Sequence, residues 1–340
     1  MMRAMRSSQS TFVLLVVSAA ACNPAPADGV SVSSTSEAII QGDAVPDGEL
    51  PSVIGLLTNA GSVCTGTLIA PKVVLTAAHC IEPNIIKQAI QAQGGTPPAT
   101  ITYQASFSHD LLSAVSGGGE LVDIDSVEWH DQFLQDQDGL FARPGRWNDI
   151  GLVHLASPAS GHTIQQLATA DVMAALEMNG QNLVAGYGQS DEHDPLSAGT
   201  LKRGHSGVDE LGDQELIAGI GDPQQACHGD SGGPIFADDS DTLQIGIASR
   251  INTDVLGGTS PTCTTGLLYT RIDTYLDWIG EKVPDLGQPP GGPGEEGGGG
   301  GGDDDHWYGC TVSPGSGGGT ASMLSVLLFG LALLHRRRRR

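Results

Sequence analysis

The chain has 340 residues, and its 39 Asp and Glu outnumber its 16 Lys and Arg, which gives a formal net charge of −23 at pH 7. This acidic balance argues against nucleic acid and anionic membrane surfaces as partners. Seven of the 16 basic residues lie at the two ends, as Arg3, Arg6 and residues 336–340, so the chain between the ends is more acidic still.

The first 21 residues are predicted to be an export signal that lies outside the fold. Arg3 and Arg6 precede the apolar run 12–17, and small residues then lead up to Cys22. A small-residue run that ends in cysteine also resembles a lipoprotein signal, which would anchor the chain through a lipid on Cys22. Ordinary signal cleavage near Ala21 is the alternative, and both stay open. Residues 22–38 are predicted to be a propeptide.

Residues 39–283 carry the pattern of an all-β domain. Short apolar runs such as 53–57 and 243–248 are bounded by Gly, Pro, Asn and Asp, which is typical of strands joined by turns. Helices are expected only at residues 170–178 and 273–282. The second is indicated by Ile272, Leu276 and Ile279 at helical spacing.

Three segments contain residue types used in nucleophilic catalysis. His79 follows the apolar run 73–75, Asp149 precedes the apolar run 150–153, and Ser231 lies between Asp230 and two glycines. A serine hydroxyl is a poor nucleophile unless an imidazole takes its proton and a carboxylate fixes the tautomer of that imidazole. The order His79, Asp149, Ser231 excludes the orders of subtilisins and α/β-hydrolases.

Taken together, these segments resemble the trypsin/chymotrypsin family of serine endopeptidases. Residues 64–69, 186–188, 269–272 and 275–279 match further family segments in the correct order. The resemblance covers residues 39 to about 283. It implies two six-stranded antiparallel barrels with a C-terminal helix, and hydrolysis of peptide bonds through an acyl-enzyme.

The resemblance also implies a role for each site residue. Ser231 would attack the scissile carbonyl, His79 would accept and return the proton, and Asp149 would stabilise the imidazolium. The backbone N–H groups of Gly229 and Ser231 would form the oxyanion hole. The hydroxyl of Ser249 would hydrogen-bond Asp149.

Cysteine usage indicates an oxidising compartment. The family resemblance pairs four of the six cysteines as two disulfides, Cys64 with Cys80 and Cys227 with Cys263. The remaining two, Cys22 and Cys310, lie beside the predicted targeting signals, where we expect them to serve as anchors.

Residues 37–42 resemble the activation junction of the family. Cleavage would make Ile39 the new amino terminus, and its ammonium group would pair with Asp230, so the precursor should be nearly inactive. Gln41 replaces the glycine that is common at its position, and residues 39–40 could instead be an ordinary first strand. Ala38, just before the junction, is itself a small residue, which motivates the hypothesis that the enzyme processes its own precursor. Processing by a partner protease is the alternative.

The predicted specificity pocket differs from that of trypsin. Gln225 stands six residues before the nucleophile, where trypsin has an aspartate. Ile251 and Leu267 would lie in the walls and narrow the pocket, so cleavage is expected after Ala, Val or similar small apolar residues. A one-residue shift would put Gly266 at the wall and deepen the pocket. Arg250 replaces the usual tryptophan, which predicts a more polar adjoining subsite.

The carboxy-terminal region is predicted to lie outside the domain. Residues 284–309 form a Gly/Pro/Asp-rich linker. Residues 310–340 resemble a myxobacterial C-terminal sorting tail, with Cys310, a short apolar run and five arginines. That run is well short of the roughly 20 residues that span a bilayer. Cleavage near Cys310 by a sorting machinery is expected, with a permanent membrane anchor as the alternative.

Two other function classes remain as alternatives. A catalytically inactive relative could serve as a surface binding module, although all three catalytic residues and Gly229 are present. Adhesion through the linker is the second, and residues 288–302 offer no aromatic or apolar anchor for it. We expect a monomer at the cell surface or outer membrane, with protein or peptide substrates. No cofactor or metal is predicted, because no acidic loop has a convincing calcium-ligand spacing.

Overall fold

The computed structural model describes residues 39–134, 147–252 and 262–287, and strands dominate them. Six strands form a closed antiparallel barrel in the order β2-β3-β4-β7-β6-β5. They are β2 (Val53–Thr58), β3 (Val63–Ala70), β4 (Val73–Thr76), β5 (Tyr103–Ser106), β6 (Val122–Trp129) and β7 (Gly151–Leu155). The barrel interior is filled by fully buried side chains such as Ile54, Leu68, Val74 and Leu152. Closure leaves this barrel without a free edge.

The remaining strands form one nine-stranded sheet, ordered β1-β10-β9-β13-β14-β15-β12-β11, with β8 paired in parallel to β14. They are β1 (Asp43–Ala44), β8 (Gln166–Leu167), β9 (Asn182–Gly186), β10 (Lys202–Ser206), β11 (Val208–Leu211), β12 (Glu215–Ala218), β13 (Pro234–Phe236), β14 (Leu243–Ile251) and β15 (Leu267–Arg271). The all-β class is therefore confirmed. Among the described strands, this second set is a half-barrel sheet rather than a ring of six.

Helices are few and short in the described part of the chain. They are α1 (Pro83–Ala92), α2 (Leu111–Ser113), α3 (Ala170–Ala174) and α4 (Leu276–Lys282). The predicted helix at 170–178 ends four residues early, and the one at 273–282 begins as a 3₁₀ turn over Asp273–Tyr275. Helix α1 was not predicted. It begins at Pro83 behind Glu82, whose carboxylate accepts a hydrogen bond from the Ile85 N–H at 2.6 Å.

The C-terminal helix α4 joins the two sets of strands. Ile279 and Val283 are buried in the same apolar cluster as the first barrel and as Ile247 of β14. The Tyr275 hydroxyl, one residue before the helix, donates to Asn148 Oδ1 at 3.0 Å. The helix therefore also supports the segment that leads into Asp149.

Both disulfides form as the family resemblance implied. Cys64 of β3 is bonded to Cys80 just after β4, and Cys227 is bonded to Cys263. The export signal 1–21, the propeptide 22–38, the tail 310–340 with Cys310, and all of the linker after residue 287 lie outside the described residues. Within residues 39–134, 147–252 and 262–287, none of the helices has the length and apolar character needed to cross a bilayer.

Candidate active site

The carboxylate of Asp149 is the centre of the site. It lies just before β7, is 1 % exposed, and accepts three hydrogen bonds. His79 donates its backbone N–H to Oδ1 at 3.0 Å, and its Nδ1 lies 2.7 Å from Oδ2. Ser249 donates its hydroxyl to Oδ2 at 2.6 Å, and Thr270 donates to the Asp149 carbonyl at 3.0 Å. Asn148 has a φ of 50°, a left-handed conformation that Asn tolerates better than most residues.

These contacts set the protonation states of the pair. Burial raises the pKa of Asp149, but the His79 charge and the hydrogen bonds from His79 and Ser249 outweigh it and hold the pKa below its usual value. Burial lowers the pKa of His79, and the Asp149 charge and hydrogen bond raise it further than that, with Arg250 acting in the lowering direction. With Nδ1–H bound to an ionised carboxylate, Nε2 of the neutral ring is left as the proton acceptor.

A β-bulge aims Ser249 at Asp149. The pairing of β14 with β15 shifts register between Ala248 and Arg250, so Ser249 is the extra residue of the bulge. Bulges re-aim side chains in this way and are frequent beside active sites. The carboxylate from the first barrel is thereby bonded to a side chain of the second sheet.

The loop that carries Ser231 is pressed against the segment before His79. Thr65 of β3 donates its N–H to the Ser231 carbonyl at 2.8 Å. Gly232 has a φ of 82°, and a Cβ there would lie 2.1 Å from Thr76 Oγ1 and 3.0 Å from Ala77 N. Only glycine permits this approach, which brings Ser231 beside the turn that ends at His79.

The disulfide sulfur of Cys80 lies between the ring and the nucleophile loop. It is 3.7 Å from His79 Nε2 and 3.5 Å from the Ser231 carbonyl oxygen. In the described part of the chain, the Ser231 hydroxyl makes no hydrogen bond to another residue. Such contacts are often long in a free enzyme and tighten only when substrate is bound, so the missing bond does not exclude His79 as the base for Ser231.

Two amides of this loop make no hydrogen bond to an acceptor among the described residues. They are the N–H groups of Gly229 and Ser231, whereas the amides of Asp230, Gly232 and Gly233 all bond carbonyls of the protein. Gly229 has a φ of 101°, and a Cβ there would lie 2.8 Å from Gly188 Cα. Two N–H donors in one loop without a protein acceptor are the kind of group that can stabilise a developing negative charge.

Asp230 is a buried carboxylate at the other side of the loop. Its oxygens accept N–H bonds from Gly188 at 2.7 Å and Cys227 at 2.8 Å. A Cβ on Gly186 or Gly188 would lie within 2.5 Å of this carboxylate, so both glycines make room for it. Burial raises the pKa of Asp230 to about 7, more than those two bonds lower it.

Ile39 makes no polar contact with Asp230 among the described residues. Its side chain is fully buried in the cluster that also contains Tyr269, and burial and the Asp230 charge raise the pKa of that tyrosine. Ile40 donates its N–H to the Gln225 carbonyl at 2.8 Å. Among the described residues no hydrogen bond or ion pair joins Ile39 to Asp230, and the Ile39 nitrogen is a peptide amide in this chain.

The three predicted pocket residues lie together at the end of the second sheet. Ile251 and Leu267 are directly opposite each other on β14 and β15, so their side chains share one face. The missing Cβ of Gly266 would face Ile220 at 2.9 Å, toward the loop after β12. This register favours Leu267 over Gly266 as the neighbour of Ile251.

The amide of Gln225 is bonded to the backbone around it. Its Nε2 donates to the carbonyls of Asp222 at 2.7 Å and Thr264 at 3.3 Å, and its Oε1 accepts from Gly266 N–H at 3.1 Å. Both of its donors are therefore used inside the protein.

Some residues of the site were missed in the sequence. Thr65 fastens the nucleophile loop, because its hydroxyl donates to the Gly229 carbonyl and accepts from the Tyr187 N–H, both at 3.0 Å. Glu215 is the second, since its carboxylate binds Arg250 through two hydrogen bonds. An acidic residue at the start of the apolar segment 215–218 was the available signal for Glu215. Thr65 carried no signal beyond lying in a strand.

Two groups of Cys and His in the described residues have their ligand atoms close enough to suggest a metal site. They are Cys64, His79 and Cys80, and Cys227, His228 and Cys263. All four cysteines are in disulfides, so neither group offers the thiolates that such sites use.

Comparisons with known proteins agree with this geometry. The family model for trypsin matches residues 39–279. Chymotrypsin-C of Mus musculus is 27% identical over 238 residues, which cover 65% of this chain and 78% of that protein. A tryptase of Mus musculus is 28% identical over 276 residues, which cover 74% of this chain and 90% of that protein.

The solved structure of neuropsin, a serine protease expressed in the limbic system of mouse brain, matches with a TM-score of 0.53 and 20% identity. The match covers 72% of this chain and 100% of that one, and it supports the fold. Because the family match spans most of the chain and includes the nucleophile loop, the protein belongs to the trypsin family and is a serine endopeptidase.

Proposed function

We propose that this protein is an exported endopeptidase in which Ser231, His79 and Asp149 carry out the reaction. The observation that carries the proposal is the 2.7 Å contact between His79 Nδ1 and the buried Asp149 carboxylate. A carboxylate removed from water is costly unless it is paired, and here its partner is the His79 ring, whose Nε2 lies 3.7 Å from the Cys80 sulfur beside the nucleophile loop. A binding module would have no use for this arrangement.

The steps follow from the positions of these groups. Ser231 Oγ attacks the carbonyl carbon, and its proton moves to His79 Nε2. The oxyanion accepts hydrogen bonds from the amides of Gly229 and Ser231, each worth roughly 3 to 4 kcal/mol in comparable enzymes. Collapse breaks the C–N bond, and the amine takes the proton from Nε2. A water molecule then cleaves the acyl-enzyme by the same proton transfers.

Replacement of the nucleophile tests this assignment. Ser231→Ala should lower kcat by about a million-fold, because the chemistry then lacks both its nucleophile and the base's partner. Ser116→Ala is the control, since Ser116 is exposed and bonds only the Leu112 carbonyl of its own turn. Peptide hydrolysis and labelling by a fluorophosphonate are the measurements. A matured wild-type enzyme that neither hydrolyses peptides nor takes the label would support the binding-module alternative.

We also propose that the enzyme is made as a zymogen that is activated by cleavage before Ile39. Support comes from the buried Ile39 side chain, the pairing of Ile40 with Gln225, and the Asp230 carboxylate, which is held only by amides among the described residues. Cleavage would supply an ammonium group to that carboxylate. Pairing would fix the loop that presents the Gly229 amide.

Stability against pH tests the Asp230 pairing. In the uncleaved chain the pKa of Asp230 is raised from 3.8 to about 7, so its protonated form is favoured by folding. Stability that depends on Asp230 is therefore full below pH 4 and is lost as pH rises toward 7. Uncleaved Ser231→Ala precursor should show this loss in urea unfolding, and the cleaved form should not. Adding Asp230→Asn should abolish it, and an unchanged profile would contradict the pairing. The same precursor decides self-processing, because a Ser231→Ala chain that is still cut before Ile39 would rule self-processing out in favour of a partner protease.

We propose further that the pocket accepts small apolar side chains. Gln225 offers no carboxylate to a substrate Lys or Arg, and both N–H donors of its side-chain amide are already bonded to backbone carbonyls. Ile251 and Leu267 are paired on β14 and β15, the two strands that would form the pocket walls. The pocket is thus short and without a charge of its own.

Opening the walls should change the preferred substrate. Ile251→Gly/Leu267→Gly should raise kcat/KM for Phe relative to Ala substrates by about tenfold or more, the scale on which hydrophobic pockets discriminate. Leu121→Gly, an exposed apolar position before β6, is the control. The measurement is a positional peptide library. Cleavage by the wild-type enzyme after Phe or Lys in preference to Ala would refute the proposed pocket.

Finally, we propose export by residues 1–21 and anchoring at the cell surface. The two disulfides support an oxidising compartment. Cleavage before Ile39 would release residues 22–38, so a lipid on Cys22 would hold the precursor and only Cys310 would hold the mature enzyme. Mass spectrometry of the mature protein should find Ile39 at one end and no residue of 336–340 at the other. Recovery of those arginines would favour the permanent membrane anchor.

A further inference from the structure

Arg250 makes a buried ion pair next to the catalytic centre. Its Nη1 and Nη2 donate to the two carboxylate oxygens of Glu215 at 2.7 and 2.9 Å, and the side chains are only 8 and 2 % exposed. A buried pair of this kind stabilises a protein little, because desolvation of both charges offsets their attraction. Its presence therefore calls for an explanation other than stability.

The face of the guanidinium covers the segment that carries Asp149. Its central carbon lies 3.9 Å from the ring centroid of Trp147, two residues before the carboxylate. Such a contact between a cation and an indole is favourable, most of all when both are desolvated. Glu215 is opposite Thr270 in the pairing of β12 with β15, and Thr270 bonds the Asp149 carbonyl. The ion pair thus lies on the face of the sheet that receives Asp149.

The guanidinium also reaches Ser249. The β-bulge puts Ser249 and Arg250 against a single partner position, and Nη1 lies 3.5 Å from Ser249 Oγ, at the long end of hydrogen bonding. The Ser249 hydroxyl has one proton, which it donates to Asp149 at 2.6 Å. An N–H aimed at its oxygen favours that direction of donation and disfavours the reverse.

We propose that Arg250, held by Glu215 and Trp147, is a positioning residue that keeps the Ser249 hydroxyl aimed at Asp149 and places a fixed positive charge beside His79. This goes beyond the proposed roles of Ser231, His79 and Asp149, and it rests on them. The consequence is that His79 stays neutral, and able to accept a proton, at lower pH than it would without the guanidinium.

The charges around His79 agree with this. Burial and Arg250 lower its pKa, and Asp149 raises it, while Glu215 partly neutralises Arg250. Glu82, on the turn that follows His79, is occupied by the Ile85 and Asn84 donors.

The nucleophile loop carries one more charged group, Asp230, whose carboxylate accepts hydrogen bonds from the Gly188 and Cys227 amides. The Cys64–Cys80 disulfide beside Nε2 carries no charge. Among the described residues, Arg250 is therefore the cation whose charge acts on the His79 ring and lowers its pKa.

The acid limb of the pH profile of kcat/KM tests the proposal, because it reports the ionisation of the free enzyme's base. Arg250→Met/Glu215→Met removes both charges of the ion pair, and the limb should move to higher pH by about half a unit, the scale of one partly screened charge. Glu215→Gln removes the carboxylate that partly neutralises the cation, so the limb should move to lower pH. If the ion pair only stabilised the fold, the two variants would not shift the acid limb in opposite directions.

Two variants serve as controls. Arg250→Lys keeps the charge, so its limb should coincide with that of the wild type even if kcat falls. Arg271→Met/Asp273→Asn removes a comparable ion pair, 2.7 Å long, from β15 and the turn after it, and should leave the limb in place. Circular dichroism confirms that each variant is folded.

The proposal would be overturned if the acid limb stayed in place in both Glu215→Gln and Arg250→Met/Glu215→Met. It would also be overturned if the limb moved as far in Arg250→Lys as in Arg250→Met/Glu215→Met. Either result would leave the proposed function intact as long as Ser231→Ala is inactive. An active Ser231→Ala enzyme would instead refute the proposed function itself.

Discussion

The structure depends on one buried carboxylate. Asp149 comes from the first barrel, yet two of the side chains that bond it, Ser249 and Thr270, belong to β14 and β15 of the second sheet. An ionised carboxylate at 1 % exposure would be costly without its hydrogen bonds to His79 and Ser249. Docking of the second sheet against the first barrel therefore completes the hydrogen bonds around Asp149, and incorrect docking would leave this residue without Ser249 and Thr270.

The nucleophile loop is set by a second constraint, the space around it. Gly186, Gly188 and Gly232 each lie where a Cβ would collide with Asp230 or with the turn before His79. Thr65 ties the loop to β3 through its backbone and its hydroxyl. Close approach of backbone to backbone thus fixes where Ser231 lies, and the amides of Gly229 and Ser231 make no hydrogen bond to an acceptor among the described residues.

Much of this was readable in the sequence, because catalytic segments are local. His79, Asp149 and Ser231 each lie in a short motif beside an apolar run, and the disulfide pairs and the C-terminal helix follow from the family resemblance. The single nine-stranded sheet did not follow, since pairings such as β8 with β14 are made between distant segments. Helix α3 stops at Ala174 because the chain then turns to pair Asn179 N–H with the Val208 carbonyl, a tertiary contact that helical spacing does not register.

The ion pair beside the site shows the same limit. Arg250 was noticed as a departure from the usual tryptophan, and a polar subsite was expected there. Its partner Glu215 lies 35 residues away along the chain, on a strand that reads as apolar after its first residue. The register of β12, β15 and β14 brings Arg250 and Glu215 together and places the guanidinium against the Trp147 ring. The sheet topology therefore decides whether a charged side chain such as Arg250 faces the substrate or forms an ion pair inside the protein.

A crystal structure of the matured enzyme after reaction with a small organophosphate would test the roles of Ser231, His79 and Asp149 together. We expect a bond from phosphorus to Ser231 Oγ, a phosphoryl oxygen that accepts from the amides of Gly229 and Ser231, and a His79 ring that is still bonded to Asp149. An adduct on another residue, or a ring turned away from Asp149 and out of reach of the Ser231 oxygen, would contradict these roles.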